Sequence, residues 1–240
     1  MLNGIGLFIV VTFTFYVENK GDEYEKKQRY KQIISTIPTK INNSINYSNE
    51  YLEISNDMFS TYNNIIERWE VNNDSIFISK FNDEFYSPLA YFFLTQDYKP
   101  PLMNFELFKS GDQEFKMLYK QVSDEINEII DGNKLKNIIS ILDEEKNIVT
   151  NYNELIYEKL GNDYDISNIY NNSFWIDNRR KVQNTYKLKY LIKERARLLN
   201  DLINPRIMTY KSFLEKKLIY FDSVNESFNS EKYFLYWRIN

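Results

Sequence analysis

Carboxylate side chains are the first candidates for chemistry, because acidic pairs can bind a divalent metal or act as general acid and base. Asp143, Glu144 and Glu145 are consecutive. On a helix their side chains therefore point in different directions, which favours a solvated face over a shared site. Asp163 and Asp165 lie in a short polar segment without the further ligands of a calcium-binding loop. These carboxylates predict no metal site.

The chain contains neither Cys nor His. Thiol nucleophiles, thiolate ligands and disulfides are therefore excluded, together with the imidazole that most often binds metals and transfers protons. Ser212 and Lys216 lie one helical turn apart, which is ordinary surface spacing. We predict no catalytic residue, no metal and no cofactor, and hence a protein that is not an enzyme. An enzyme whose site uses only carboxylate, Lys or Ser groups is the alternative.

Basic and aromatic residues interleave towards the end of the chain. On a helical wheel at about 100° per residue, one side collects apolar residues: Leu188, Leu191, Ile192, Leu199 and Leu202. The other side collects Arg179, Tyr186, Lys189, Tyr190, Lys193 and Arg197. Such cations and rings can bind anionic lipid headgroups or nucleic acid. Arg179, Lys189, Lys193 and Arg197 form a candidate anion-binding face, although the net charge of −4 argues against nucleic acid.

Two charged residues interrupt apolar helix faces. Glu145 falls on the seam between Leu142 and Val149, where the pattern requires an apolar residue. Arg195 projects into the apolar side of its own segment. Because a charge buried in a core needs a partner of opposite sign, we predict that Arg195 packs its stem on the core and pairs with a carboxylate, for which Glu145 is one candidate.

Long helices are the elements that must position these residues. A chain of 240 residues with 43% hydrophobic residues can form one domain with a real core, and only 6 Gly and 5 Pro favour long helices over an all-β fold. Apolar periodicity predicts helices at 22–36, 41–69, 75–85, 102–109, 113–131, 133–160, 175–203 and 206–222. Ser48 and Ser55 fill gaps in the buried seam of the 41–69 helix.

An uncharged segment from Leu2 to Val17 opens the chain. As a helix it would cover roughly 24 Å, somewhat less than the ~30 Å hydrocarbon core of a bilayer. A cleaved signal peptide would need basic residues before it and a small-x-small site after it, and the sequence has neither. A buried core helix is a further alternative at this length. We favour a transmembrane anchor at 1–19, a helical bundle domain at 20–222 and a C-terminal tail at 223–240.

The predicted fold class is therefore all-α: an N-terminal single transmembrane helix followed by an irregular bundle of long antiparallel helices. Its orientation in the membrane is open. Five basic residues between 20 and 31 would keep the bundle in the cytoplasm under the positive-inside rule. A basic lead-in before Met1 would reverse that orientation.

Two short motifs resemble an uncharacterised Bacteroidetes family of membrane-anchored helical proteins, a domain of unknown function. Its I-G-x-x-I-A-hydrophobic span ends in an N-x-W-x-E-like motif, which the segment 15–19 matches only loosely. Its Y-x-x-L-x-x-S-G-like motif opens the later helices, and Phe105, Leu107, Ser110 and Gly111 stand close to that motif. Members carry a basic segment before the span, which this chain lacks. The resemblance implies a membrane anchor and a periplasmic bundle, and it implies no function.

Together these features favour a membrane-anchored, non-enzymatic protein that acts as a scaffold, adaptor or sensor through protein–protein contacts. The expected partners are the lipid bilayer, through the N-terminal helix, and a partner protein or a second copy of the chain. The alternatives are an enzyme with a carboxylate, Lys or Ser site, and binding of anionic lipid or nucleic acid through the basic 179–197 face.

Overall fold

The computed structural model describes residues 2–70, 79–81, 84–104, 113–161, 168–234 and 237–239. Within these ranges, the side chains at 2–11, 79–86, 91, 103–104, 172 and 232–239 are outside the description.

Helices dominate the described chain, which confirms the predicted all-α class. The α-helices are α1 (Leu2–Ser35), α2 (Ile37–Glu67), α3 (Gln113–Leu118), α4 (Lys120–Asp131), α5 (Asn133–Leu160), α6 (Asn172–Asp177), α7 (Arg179–Gln183), α8 (Tyr186–Arg197) and α9 (Asn204–Ser230). Two 3-10 turns, Ala90–Phe93 and Pro101–Asn104, and a π-helical turn, Leu198–Ile203, complete the helical structure. Four short strands, β1 (Ser79–Phe81), β2 (Glu84–Tyr86), β3 (Lys232–Phe234) and β4 (Trp237–Ile239), form two antiparallel hairpins, β1–β2 and β3–β4.

Two long helical rods run side by side and form the frame of the fold. The first rod is α1 followed by α2, which are separated only at Thr36; Pro38 lies in the first turn of α2, where its fixed φ is compatible with a helix. The second rod is α8, the π-helical turn and α9. Contacts join Glu70 to Lys189, Ser55 to Asn204 and Lys31 to Glu231. Across these contacts, residue numbers rise along the second rod as they fall along the first. The two rods are therefore antiparallel.

The predicted helix break at Pro205 is wrong. Helical structure continues from Tyr186 to Ser230, with the π-helical turn immediately before Pro205. Proline lacks an N–H and its ring clashes with the carbonyl four residues earlier in an α-helix, whereas the wider π-helical turn changes that spacing. Pro205 therefore lies in the first turn of α9 without ending the rod.

The last helix also extends beyond the predicted end at Asp222. Val224 and Phe228 lie in this extension and pack against the core, and Lys31 of α1 forms an ion pair with Glu231 just after it. The segment predicted as a tail therefore begins as helix and ends in the β3–β4 hairpin.

Serine residues on the buried side of α2 allow the rods to pack closely. Ser48 and Ser55 are buried, as the seam predicted. The Ser48 hydroxyl donates to the Ser44 carbonyl at 2.7 Å and lies 2.6 Å from the Tyr98 hydroxyl. The Ser55 hydroxyl donates to Asn204 Oδ1 at 2.6 Å. Because each buried hydroxyl has a partner, these polar groups are accommodated in the core.

Two further predicted helices differ from the structure. The helix predicted at 75–85 is wrong where the structure describes it, since 79–81 and 84–86 are strands. Aromatic residues on either side of Asn82-Asp83 favour a hairpin over a helix. The helix predicted at 102–109 begins as the 3-10 turn Pro101–Asn104, and its remainder lies outside the described residues.

The single helix predicted at 175–203 is wrong, because the chain breaks it at Asn178 and again at 184–185. The Asn178 side chain donates to the Phe174 carbonyl at 2.9 Å, and the Thr185 hydroxyl donates to the Lys181 carbonyl at 2.7 Å. Side chains that bond nearby carbonyls compete with regular helix, which accounts for both breaks.

The helix ends predicted at residues 131 and 160 are confirmed, and a glycine follows each. Gly132 is the single residue between α4 and α5, and a Cβ there would lie 2.1 Å from the Glu128 carbonyl oxygen. Gly161 ends α5 with a φ of 54°, a conformation that suits glycine. The break at Tyr119 between α3 and α4 carries no glycine or proline, and the sequence did not predict it.

The membrane span predicted at the N-terminus lies at the start of α1. Among the helices as far as the structure describes them, none is both long enough and apolar enough to cross a bilayer. The side chains from 2 to 11, which make up most of the predicted anchor, lie outside that description.

Candidate interaction surface

A buried ion pair joins α8 to α5. Arg195 is completely buried and Glu145 is 2% exposed. The Arg195 Nε and Nη2 atoms lie 2.9 and 2.8 Å from Glu145 Oε1. The predicted pairing of these two residues is therefore confirmed.

The segment that follows the β1–β2 hairpin supplies two carbonyls to Arg195, and Tyr62 of α2 supplies a ring. Nη1 donates to the Phe92 carbonyl at 2.8 Å, and Nη2 donates to the Leu94 carbonyl. The guanidinium carbon lies 4.9 Å from the centre of the Phe92 ring and 5.3 Å from that of Tyr62. The charge is thus surrounded by a carboxylate, two carbonyls and two aromatic rings, which makes Arg195 a structural clamp.

Buried tyrosines around this clamp are poor candidates for proton transfer. Desolvation raises the pKa of Tyr62 well above its ordinary value, although the Arg195 charge acts in the opposite direction. Burial likewise raises the pKa of Tyr51, whose hydroxyl donates to the Gln96 carbonyl at 3.2 Å. Both phenols therefore stay neutral over the physiological range.

The remaining members of the acidic run lie on the surface. Asp143 and Glu144 are exposed, and Lys146 Nζ lies 3.8 Å from Asp143 Oδ1 and 2.8 Å from Asp97 Oδ1. Hydrogen bonds from Lys146 and Lys99 lower the pKa of the exposed Asp97 to about 2. Within the described ranges, no group of three or more acidic residues is arranged to hold a metal ion. Asp163 and Asp165 lie outside those ranges.

Ser212 and Lys216 both line an open groove of about 460 Å³ between α9 and the start of α5. Lys134 and Phe213 lie in the same groove, with Lys134 Nζ 4.4 Å from the centre of the Phe213 ring. A second depression of about 190 Å³ lies beside Asp97, Lys99, Asp143 and Lys146. Both are exposed and bordered by charged side chains.

The structure brings together three of the four residues of the candidate anion-binding face. Lys189, Lys193 and Arg197 lie on α8, whereas Arg179 lies on α7, beyond the break at 184–185. Lys189 pairs with Glu70 at 3.0 Å and Arg197 with Glu194 at 3.1 Å.

Two tyrosines extend the same side of α8. Tyr186 is 70% exposed and Tyr190 is 58% exposed, and Lys193 and Arg197 continue their line. We name these four residues, Tyr186, Tyr190, Lys193 and Arg197, the α8 surface. It presents aromatic rings at one end and cations at the other.

A second exposed feature lies at the opposite end of the rods. In α1, Phe13 and Phe15 are each 63% exposed and Tyr16 is 49% exposed. Burial in the core begins farther along the helix, where Tyr30 is 2% exposed and Ile34 is fully buried. We name residues 12–17 the apolar stretch of α1.

The chain is an all-α helical bundle built on two long antiparallel rods, and it carries the two exposed surfaces described above. Comparison with protein-family models, with curated proteins and with solved structures gives no match. The resemblance to the Bacteroidetes family therefore stays a prediction.

Proposed function

We propose that this chain is a membrane-anchored, non-enzymatic helical protein that acts as a scaffold or adaptor through protein–protein contacts. The observation that carries the proposal is the apolar stretch of α1, which is exposed on a helix whose other end is built into the core.

Exposure of large apolar side chains in water is unfavourable. Burial contributes about 25 cal/mol per Å² of apolar surface, so Phe13 and Phe15 gain considerably by leaving water. The first charged residue after the uncharged segment is Glu18, and the ion pair of Lys20 with Glu23 at 2.7 Å follows. Tyr16 has the amphipathic ring that is favoured at a membrane interface. This order of side chains supports insertion of the start of α1 into a bilayer.

Continuity of α1 supports a mechanical role. One helix runs from Leu2 to Ser35, so no flexible linker separates the apolar stretch from the buried residues Tyr30 and Ile34. An anchor of this kind holds the bundle at a fixed angle and height above the membrane. A scaffold that presents a binding surface needs such a rigid connection.

The buried and paired charges support a role without catalysis. The Arg195–Glu145 pair is buried and held by structural contacts, and Asp97 is held between two lysines on the surface. An enzyme site of carboxylate, Lys or Ser groups is the rival proposal. It requires such groups to converge in a concave, dry cavity with shifted pKa values.

Membrane fractionation tests the anchor. We expect the full chain to stay with membranes after alkaline carbonate extraction, and Phe13→Asp with Phe15→Asp to release it. The matched control is Met208→Asp with Ile219→Asp, which changes two exposed apolar residues of α9 and is expected to leave membrane binding intact. Recovery of the unaltered chain in the soluble fraction would overturn the proposal.

Crosslinking in membranes tests the scaffold role. We expect a crosslinked partner protein or a second copy of the chain when cells that produce the chain are treated with a lysine-reactive crosslinker. Recovery of the monomer alone, at several crosslinker lengths, would contradict a role in protein–protein contacts.

A further inference from the structure

We infer that the α8 surface docks an acidic segment of a partner protein. The inference rests on the proposed scaffold function and names the chemistry of its partner. Charge distribution, the arrangement of the exposed side chains and the position of α8 in the rods each support it.

Charge is distributed very unevenly along the chain. The segment 179–197 contains eight of the 30 basic residues and one of the 34 acidic residues, although the whole chain has a net charge of −4. Arg195 is the buried member of that set and is neutralised by Glu145. Lys189 and Arg197 each pair with one carboxylate, and the segment still has a large excess of basic over acidic residues. Its local field therefore attracts acidic partners and repels basic ones.

The α8 surface is narrow and continuous. At about 100° per residue, Tyr186, Tyr190, Lys193 and Arg197 fall within an arc of roughly 60°, and at about 1.5 Å per residue they extend over roughly 16 Å. Tyr and Arg are the residue types enriched in binding hot spots, since they combine large contact area with hydrogen bonding. An extended or helical segment of a partner can cover this length.

The rods place the α8 surface far from the proposed anchor. Lys189 of α8 contacts Glu70, just after the end of α2, whereas Lys31 of α1 contacts Glu231 at the end of α9. From Val17 to Glu70 the helical path is about 80 Å at about 1.5 Å per residue. Lipid headgroups around the anchor therefore do not reach α8, which argues against lipid as the occupant.

Carboxylates within the basic region favour a protein segment over nucleic acid. Glu70 and Glu194 lie beside Lys189 and Arg197 and would repel a continuous phosphate backbone, which binds best where several phosphates are neutralised in sequence. An acidic segment can place single carboxylates at Lys193 and Arg197 and apolar side chains against the two tyrosine rings. An acidic protein segment therefore matches both the cations and the rings of the α8 surface.

Binding of a model peptide tests the inference. The probe is a fluorescein-labelled peptide with Glu at every third or fourth position and Leu between them, added to the full chain in lipid nanodiscs. We expect saturable binding that weakens with salt and falls at least tenfold in Lys193→Glu with Arg197→Glu. Tyr186→Ala with Tyr190→Ala is expected to weaken binding without removing its salt dependence.

A matched control reverses two exposed cations elsewhere, Lys116→Glu with Lys216→Glu, and should bind the peptide as the unaltered chain does. Circular dichroism on each variant confirms that the helices are intact. Equal binding of a peptide with Gln in place of Glu would overturn the inference. So would tighter binding of a single-stranded oligonucleotide or of phosphatidylserine vesicles with the same dependence on Lys193 and Arg197.

The membrane crosslinking experiment separates the two proposals. If the α8 charge reversals leave partner crosslinks unchanged, the scaffold function stands and the α8 surface is not its docking site. If the unaltered chain forms no crosslinks, the scaffold function itself fails.

Discussion

Arg195 of α8 donates an Nε–H hydrogen bond to Glu145 Oε1 on α5 at 2.9 Å, and its Nη2 atom lies 2.8 Å from the same oxygen, in a fully buried environment. The same guanidinium binds the Phe92 and Leu94 carbonyls. One side chain therefore fixes the segment after the β1–β2 hairpin against two helices, and its removal affects three parts of the fold at once.

Removal of the Glu145 carboxylate is expected to be strongly destabilising. Glu145→Ala leaves the Arg195 charge buried without its counterion, which typically costs about 3–5 kcal/mol in free energy of unfolding. Urea denaturation followed by circular dichroism measures this. Asp143→Ala, an exposed neighbour on the same helix, is the control and should change stability by less than about 0.5 kcal/mol.

The double variant Glu145→Leu with Arg195→Met is expected to recover part of that loss, because no buried charge then lacks a partner, although the Phe92 and Leu94 carbonyls lose their donor. A Glu145→Ala variant as stable as the unaltered chain would show that the pair does not stabilise the fold.

Gly132 is expected to tolerate no side chain. In Gly132→Ala the new Cβ would lie 2.1 Å from the Glu128 carbonyl oxygen, so the backbone between α4 and α5 must move. Such overpacking typically costs about 1–3 kcal/mol, which thermal unfolding can measure. Gly161→Ala is the comparison, since its Cβ meets no atom within 4 Å and only its positive φ of 54° opposes the change. A smaller effect at Gly132 than at Gly161 would contradict the close approach.

Asp97 is expected to titrate at unusually low pH. Hydrogen bonds from Lys146 and Lys99 lower its pKa from 3.8 to about 2. A lowered pKa means that the interaction stabilises the fold above pH 3.8 and loses that effect as pH falls towards 2. Carboxyl chemical shifts measured by NMR report the midpoint. In Lys146→Ala we expect the Asp97 pKa to rise towards 3.8, and an unchanged midpoint would contradict the assigned cause.

The rods predict a long distance that spin labels can measure. Since the chain has no Cys, Asn19→Cys with Tyr186→Cys gives two unique labelling sites. Their separation along the rods is expected to be roughly 80 Å at about 1.5 Å per residue. A control pair across the Ser55–Asn204 contact, Glu53→Cys with Met208→Cys, should lie less than half as far apart. A distance under 50 Å for the long pair would show that α1 folds back on the bundle.

Apolar periodicity by itself predicted the all-α class, the helices α2 and α5, the serine-containing seam of α2 and the charges on apolar faces. These features are local, because a residue that breaks a helical pattern is visible in its own segment. The pairing of Arg195 with Glu145 could be foreseen since each charge required a buried partner. The membrane anchor and the family resemblance stay predictions from sequence.

Only the tertiary structure showed that Arg195 donates to the Phe92 and Leu94 carbonyls, because the backbone groups of an irregular segment leave no signature in the sequence. It also decided that Pro205 continues the rod, that Asn178 and Thr185 interrupt the helix predicted at 175–203, and that Arg179 is separated from Lys189, Lys193 and Arg197. Each outcome depends on contacts between distant segments or on competition between side-chain and backbone hydrogen bonds. Periodicity within one segment carries no information about either.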